Sequence, residues 1–256
     1  MTYNARTAFS LVELSIVLVI LGLLVGGVLS GQSLIRAAEL RAVSTEYSRY
    51  LTATQTFRDK YFALPGDMTN AFAFWGAATG CTNADINSVA TGCNGNGDGA
   101  ISIYAEGFRF WQHLALASLI EGTYSGTATT NNAVLGGNVP RGRISSTGYQ
   151  IWSEPWASQG WTGTGSTEIS NAIRFGAWGA FGGTAGDPSR ISNPSLKCEE
   201  SWNLDTKIDD GKPGLGRLIL HYNVSAACLS TSVRGTAEYI LTGNGVNALV
   251  DYQHLK

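Results

Sequence analysis

Two short stretches of the chain gather oxygen. Asn94, Asn96 and Asp98 alternate with glycines in NGNGDG, a pattern that turns side-chain oxygens at alternate positions onto a hard cation while the sixth residue, a glycine, makes the sharp bend. The carboxylate that closes such a loop belongs at the twelfth position, but Ala105 stands there and Glu106 follows it. Asn94, Asn96, Asp98 and Glu106 are therefore the calcium ligands the sequence offers, and calcium the one cofactor; none is required. Asn-Gly turns that need positive φ account for the same letters without an ion. The second stretch, DTKIDDG, places Asp205, Asp209 and Asp210 at the end of a helical pattern, where their oxygens read as caps of turns.

Other chemistry finds less support. The four cysteines form no C-x-x-C pair and do not cluster with His113, His221 or His254, so a zinc site is poorly founded. Cys81 and Cys93 flank a short polar loop and are expected to pair with each other, leaving Cys198 for Cys228; the other two connectivities stay open at this level. Disulfides of this kind persist in the periplasm or outside the cell. No G-x-S-x-G, H-E-x-x-H, P-loop or dinucleotide fingerprint stands in a suitable context, and an enzyme is not expected. A net charge of −2 with only 14% charged residues leaves no electrostatic footprint for nucleic acid. His113 reads as a satisfied side chain at the edge of a core, and exposed Trp or Tyr side chains could bind carbohydrate.

The elements that must carry these groups begin with an apolar run. Phe9 to Gly31 makes 23 residues in which Glu13 is the sole ionisable group, with no partner evident in the neighbouring sequence. About 20 helical residues cross a hydrocarbon core. A signal peptide has a shorter apolar region and an A-x-A-like cut, neither of which fits. A plain anchor leaves Glu13 unexplained, since a carboxylate inside a membrane helix costs a few kcal/mol.

The string AFSLVELSIVLVILGLL resembles the leader and first helix of type IV prepilins and of the related pseudopilins of type II secretion. That resemblance implies a leader, residues 1–8 with Arg6, removed by prepilin peptidase between Ala8 and Phe9. It implies methylation of the new Phe9 amine, and pairing of Glu13 with that amine on a neighbouring copy. The family usually has Gly where this chain has Ala8. It also implies the partners: copies of the same chain in a helical filament, the peptidase, the inner-membrane assembly platform, and the membrane before assembly.

Beyond Gly31, apolar residues recur at spacings near three and four from Leu34 to Phe57 among charges, which predicts an amphipathic continuation to about Tyr61, ended by Pro65-Gly66. A second helix is expected in YAEGFRFWQHLALASLIEG, stopping at Gly122. A third is expected in NPSLKCEESWNLDTKIDDG, with Asn193 as N-cap and Gly211 as its end. AIRFGAW, GRLILHYN, AEYIL and ALVDY have strand composition. The expected fold is α+β and pilin-like, a long helix packed on an antiparallel sheet with disulfide-bonded loops. The expected divisions are leader 1–8, transmembrane and assembly helix 9–31, amphipathic helix 32–61, and a periplasmic or extracellular head 62–256. The function so implied is a structural subunit of a type IV pilus or pseudopilus, inner-membrane as precursor and then in a cell-surface or periplasm-spanning filament. The alternatives are a minor pilin with a ligand-binding or adhesin-like head, a secretion pseudopilin, and an anchored periplasmic module.

Overall fold

The computed structural model of the 256-residue chain describes residues 10–76, 93–103, 105–126, 132–180, 189–243 and 245–253. Two compact units, Met1–Ala42 and Val43–Lys256, divide it, and helix α1 (Leu11–Tyr61) runs through both.

In the first unit α1 carries no charge between Glu13 and Arg36, and its large apolar side chains from Leu11 to Leu29 all stand exposed. A helix satisfies its own backbone hydrogen bonds, the condition for apolar residues to sit in lipid. It is the one helix among the described residues that is long and apolar enough to cross a membrane.

In the second unit the buried side chains of α1 are Val43, Tyr47, Tyr50, Ala53, Thr54 and Phe57, a single face built on spacings of three and four. Leu34 and Ile35, expected on the same stripe, are 71% and 63% exposed, so burial starts at Val43. The helix stops before Pro65: Phe62 takes a left-handed φ of 52° while its N–H still donates to the Arg58 carbonyl at 2.8 Å. Pro65 and Gly66 then turn the chain. Gly66 has φ of 84° and lies against the Glu106 carbonyl, where a side chain would collide.

A short helix α2 (Ala71–Trp75) follows, then α3 (Glu106–Leu116). The sequence signal for the end of α3 pointed to Gly122, yet the helix closes six residues earlier. Ser118 takes the left-handed position with φ of 58°. Its N–H donates to the Ala115 carbonyl and that of Leu119 to the Leu114 carbonyl, both at 2.9 Å, a Schellman motif with serine where glycine is usual.

The head sheet is antiparallel. β1 (Thr147–Pro155) and β7 (Val250–Gln253) flank the long β2 (Ile169–Ala180), and β5 (Leu218–Leu220) pairs with β7. β3 (Ser189–Asn193) pairs with the far end of β2. Alternation sends Tyr149, Ile151, Ile173, Phe175, Val250 and Tyr252, all buried, to one face. That face meets α1: Tyr47 stacks on Tyr252 with centroids 4.1 Å apart, and Tyr50 meets Tyr149 edge-on at 5.0 Å. The α+β expectation, a long helix on an antiparallel sheet, describes this architecture.

Two local expectations change. Asn193 ends β3 and does not cap a helix. The next residues form β4 (Leu196–Lys197), paired with β6 (Val246–Ala248), and α4 (Cys198–Ile208) begins only then. Strand pairing claims Leu196 and Lys197, and the cap comes from Glu200, which accepts the Lys197 N–H at 2.9 Å. AEYIL makes no strand; it contributes one isolated bridge, Leu229 with Tyr239, because the neighbouring Ala226–Cys228 is a 3-10 turn rather than an extended partner, and the Tyr239 hydroxyl donates to Asp205 at 2.9 Å. Behind β5 lies α5 (Tyr222–Ser225). Cys198 and Cys228 are disulfide-bonded.

Candidate functional site

Ala8 and Phe9 lie outside the described residues. Glu13 stands in the first turn of α1, and one carboxylate oxygen accepts the Ser10 N–H at 2.8 Å. Ser10 answers: its hydroxyl accepts the Val12 N–H at 3.3 Å, and its carbonyl takes the first helical bond from Leu14. Ser10-Leu-Val-Glu13 is thus a capping box, so within one chain Glu13 does have a local partner, three residues away. The S-x-x-E signature is legible in the sequence, where the apolar run that follows draws attention first. The bond satisfies an amide and adds no counter-charge to the carboxylate.

In the head, α3 and the turns before it bring the NGNGDG loop together. Asn94 Oδ1 accepts the Phe72 N–H, Asn96 Oδ1 accepts that of Asp98, and Asp98 Oδ1 accepts that of Ala100, at 2.8, 2.9 and 2.8 Å. Glu106 gives one oxygen to the Asn96 N–H at 3.0 Å and the other to the Ser102 N–H at 2.8 Å. Asp67, which the sequence reading passed over, holds the same loop from the other side and accepts from Gly97 and Gly99 N–H at 2.6 and 3.0 Å. Both carboxylates are buried. Burial pushes both above the usual carboxylate range, against the pull of those amides.

Successive amides converging on an anion form a nest, and here the anions are the chain's own side chains. Arg109, also buried, donates to the Asn94 carbonyl at 2.7 Å. Both Glu106 oxygens face amides of the loop they would have to close around a cation, so the four residues of the calcium reading fit that ion poorly as placed.

His113 sits one turn further along α3, with no exposed surface. Its Nδ1 accepts the Gly66 N–H at 2.9 Å, so Nε2 carries the proton and donates to the Cys93 carbonyl at 2.7 Å. It is a satisfied core side chain tying the turn after α1 to Cys93, which is disulfide-bonded; Cys81 lies outside the described residues. Burial lowers the His113 pKa from 6.5 to about 4. The folded state therefore favours the neutral ring, and the stability it contributes is complete above pH 6.5 and lost as pH falls towards 4. The full span corresponds to about 3 kcal/mol. Unfolding midpoints measured across that window should fall more steeply for the wild type than for His113→Gln, which removes the titration. Parallel curves would rule out His113 as the cause.

At the other end of the head, Asp205 Oδ2 accepts the Tyr239 hydroxyl and Oδ1 the Gly211 N–H. Burial raises this carboxyl to about 7, and Asp210 and Asp209 push the same way.

On the sheet face turned away from α1, Arg174 and Asp251 meet across β2 and β7 in a bidentate pair, both bonds 2.6 Å, with neither side chain exposed. The guanidinium lies 3.8 Å from the centre of the Trp152 ring. These groups act as structure.

Residues 3–29 match the family model of the prokaryotic N-terminal methylation motif, the leader and first helix of type IV prepilins and pseudopilins. No curated protein and no solved structure matches the chain.

Proposed function

We propose, from a chain that opens on that motif, that the protein is a subunit of a type IV pilus or a related pseudopilus. It is held in the inner membrane by residues 9–31, cut between Ala8 and Phe9 by prepilin peptidase, methylated at Phe9, and polymerised through α1. The observation that carries this reading is the apolar half of α1, exposed along its length and bearing one carboxylate in its first turn. Once out of lipid, such a surface requires other apolar surface to cover it, and copies of the same helix supply it. Gly22 and Gly26, then Gly27 and Gly31, repeat at four-residue spacing with open space at every Cβ position, which lets helix backbones approach closely. The work of the head is contact and assembly rather than catalysis, and its size favours a pilus subunit or minor pilin over a major pseudopilin.

Mass spectrometry of the N-terminal peptide, from membranes and from the sheared cell-surface fraction, tests it. A peptide starting at Phe9 with one added methyl group is expected in both. A start at Met1 or Thr2 in both fractions would make the protein an uncut anchored module, and a start near Gly31 an ordinary secreted protein. A methylated Phe9 peptide confined to membranes would assign the subunit to a periplasmic pseudopilus.

A further inference from the structure

The turn after α4 folds three carboxylates inward. Asp205 takes the Gly211 N–H at 3.3 Å and the Tyr239 hydroxyl at 2.9 Å. Asp210 takes the Lys212 N–H at 2.9 Å, and Asp209 takes the N–H groups of Arg217 and Leu218. These bonds bring one oxygen from each of the three side chains within 4.8 Å of the others. Asp205 is fully buried, Asp209 half-buried and Asp210 exposed.

Every donor on these oxygens is neutral, an amide or a phenol. Among the described residues no lysine or arginine forms an ion pair with any of the three. Capping explains the path of the turn, but it leaves up to three like charges converging in a partly dry site, an arrangement resolved by a proton or by a counter-charge.

A separate observation bears on the same place. Ser201 lies four residues before Asp205 on α4 and so on the same helix face, and its hydroxyl is fully buried without a hydrogen-bond partner. From β7 the Tyr252 hydroxyl, also fully buried, has no partner either, and Asp205 is among the charges acting on it. Buried polar groups are nearly always satisfied, and an orphan in a native fold commonly marks an ion or water. One orphaned hydroxyl thus stands a helical turn from Asp205, and the other lies within reach of the same carboxylate's charge.

We propose that this turn binds one divalent cation of the calcium class, with Asp205, Asp209 and Asp210 as its charged ligands and the Ser201 and Tyr252 hydroxyls as neutral oxygens of the same enclosure. All the donors are oxygen, which selects a hard cation over zinc or copper. They sit on a turn and two side elements rather than in a rigid octahedron, which favours calcium over magnesium. The site ties the end of α4 to the last strand of the chain, and it is independent of whether the protein assembles.

Terbium, a calcium mimic whose emission is excited through nearby aromatic rings, is the probe for the full-length protein in detergent. Tyr239, bonded to Asp205, is the sensitiser. The expected result is saturable emission at one equivalent, displaced by calcium and at least tenfold less readily by magnesium. Asp209→Asn and Asp210→Asn keep an acceptor oxygen for the turn amides, and each should weaken binding at least tenfold while circular dichroism is unchanged. Asp98→Asn, in the NGNGDG loop, should leave binding intact. Absence of calcium-displaceable emission overturns the proposal. So does emission that survives both turn variants or that falls with Asp98→Asn.

Discussion

Glu13→Ala is expected to leave the precursor inserted in the inner membrane and to cut recovery of sheared filaments about 100-fold or more. Among the described residues the Glu13 carboxylate accepts the Ser10 amide, and its interaction with the helix N-terminus is worth about 0.3–1 kcal/mol. Under the proposed processing, cleavage before Phe9 adds an ammonium near the start of the helix. On a neighbouring copy, away from water, that ammonium compensates the carboxylate. Removing one partner of such a buried pair strands the other charge, at a cost of about 3–5 kcal/mol, and each 1.4 kcal/mol is tenfold in association. Insertion moves the other way, since loss of the carboxylate removes a penalty of a few kcal/mol in lipid.

Glu13→Gln separates the two roles of the side chain. Glutamine can still accept the Ser10 N–H and complete the capping box, but it carries no charge. Filament loss in both variants, with normal membrane levels, is the expected outcome. If Glu13→Gln assembles like the wild type, Glu13 is a helix cap and the register role is wrong.

The second large effect is one of stability. Asp251→Asn should destabilise the head by about 3–5 kcal/mol, because the fully buried Arg174 guanidinium would keep its charge and lose its counter-ion. For a unit of this size about 2–4 °C is lost per kcal/mol, so a fall of roughly 10 °C in the unfolding midpoint is expected. Trp152 fluorescence, beneath the guanidinium, is a local monitor. Replacing both partners by apolar residues, Arg174→Met with Asp251→Leu, should recover most of that loss, as buried pairs often exchange for hydrocarbon at little cost. A single variant within 1 kcal/mol of the wild type would reduce the pair to the value of a surface contact. Arg174 sits opposite Gln150 on β1 and Asp251 on β7, and a one-residue slip would send either partner to the wrong face. The pair therefore also fixes where the last strand docks.

Much of this molecule follows local rules that a sequence exposes. The continuity of α1 follows from an unbroken apolar run joined to residues spaced by three and four, and its end near Tyr61 from the proline and glycine beyond. AIRFGAW and ALVDY became the paired β2 and β7 because β-branched and aromatic residues suit a pleated, buried surface. The pairing of Cys198 with Cys228 was one of three open connectivities, favoured because the other two cysteines bracket a short loop. Where the signals misled, the surrounding fold decided: β6 paired Leu196 and Lys197 ahead of Asn193's cap, and the 3-10 turn at Ala226–Cys228 left Tyr239 one bridge instead of a strand.

The charges divide along the same line. From the letters alone come the N-terminal motif of residues 3–29, the isolation of Glu13 in an apolar span, and the helix that holds Glu13, since each depends on neighbours within a few positions. Only the tertiary structure decides that Asp67 closes a loop 30 residues away, that Arg174 finds Asp251 across 77 residues, and that oxygens of Asp205, Asp209 and Asp210 converge. Hydrophobic periodicity is set by the geometry of one helix or strand. The compensation of a buried charge depends on which elements the fold brings together, and no local pattern encodes that.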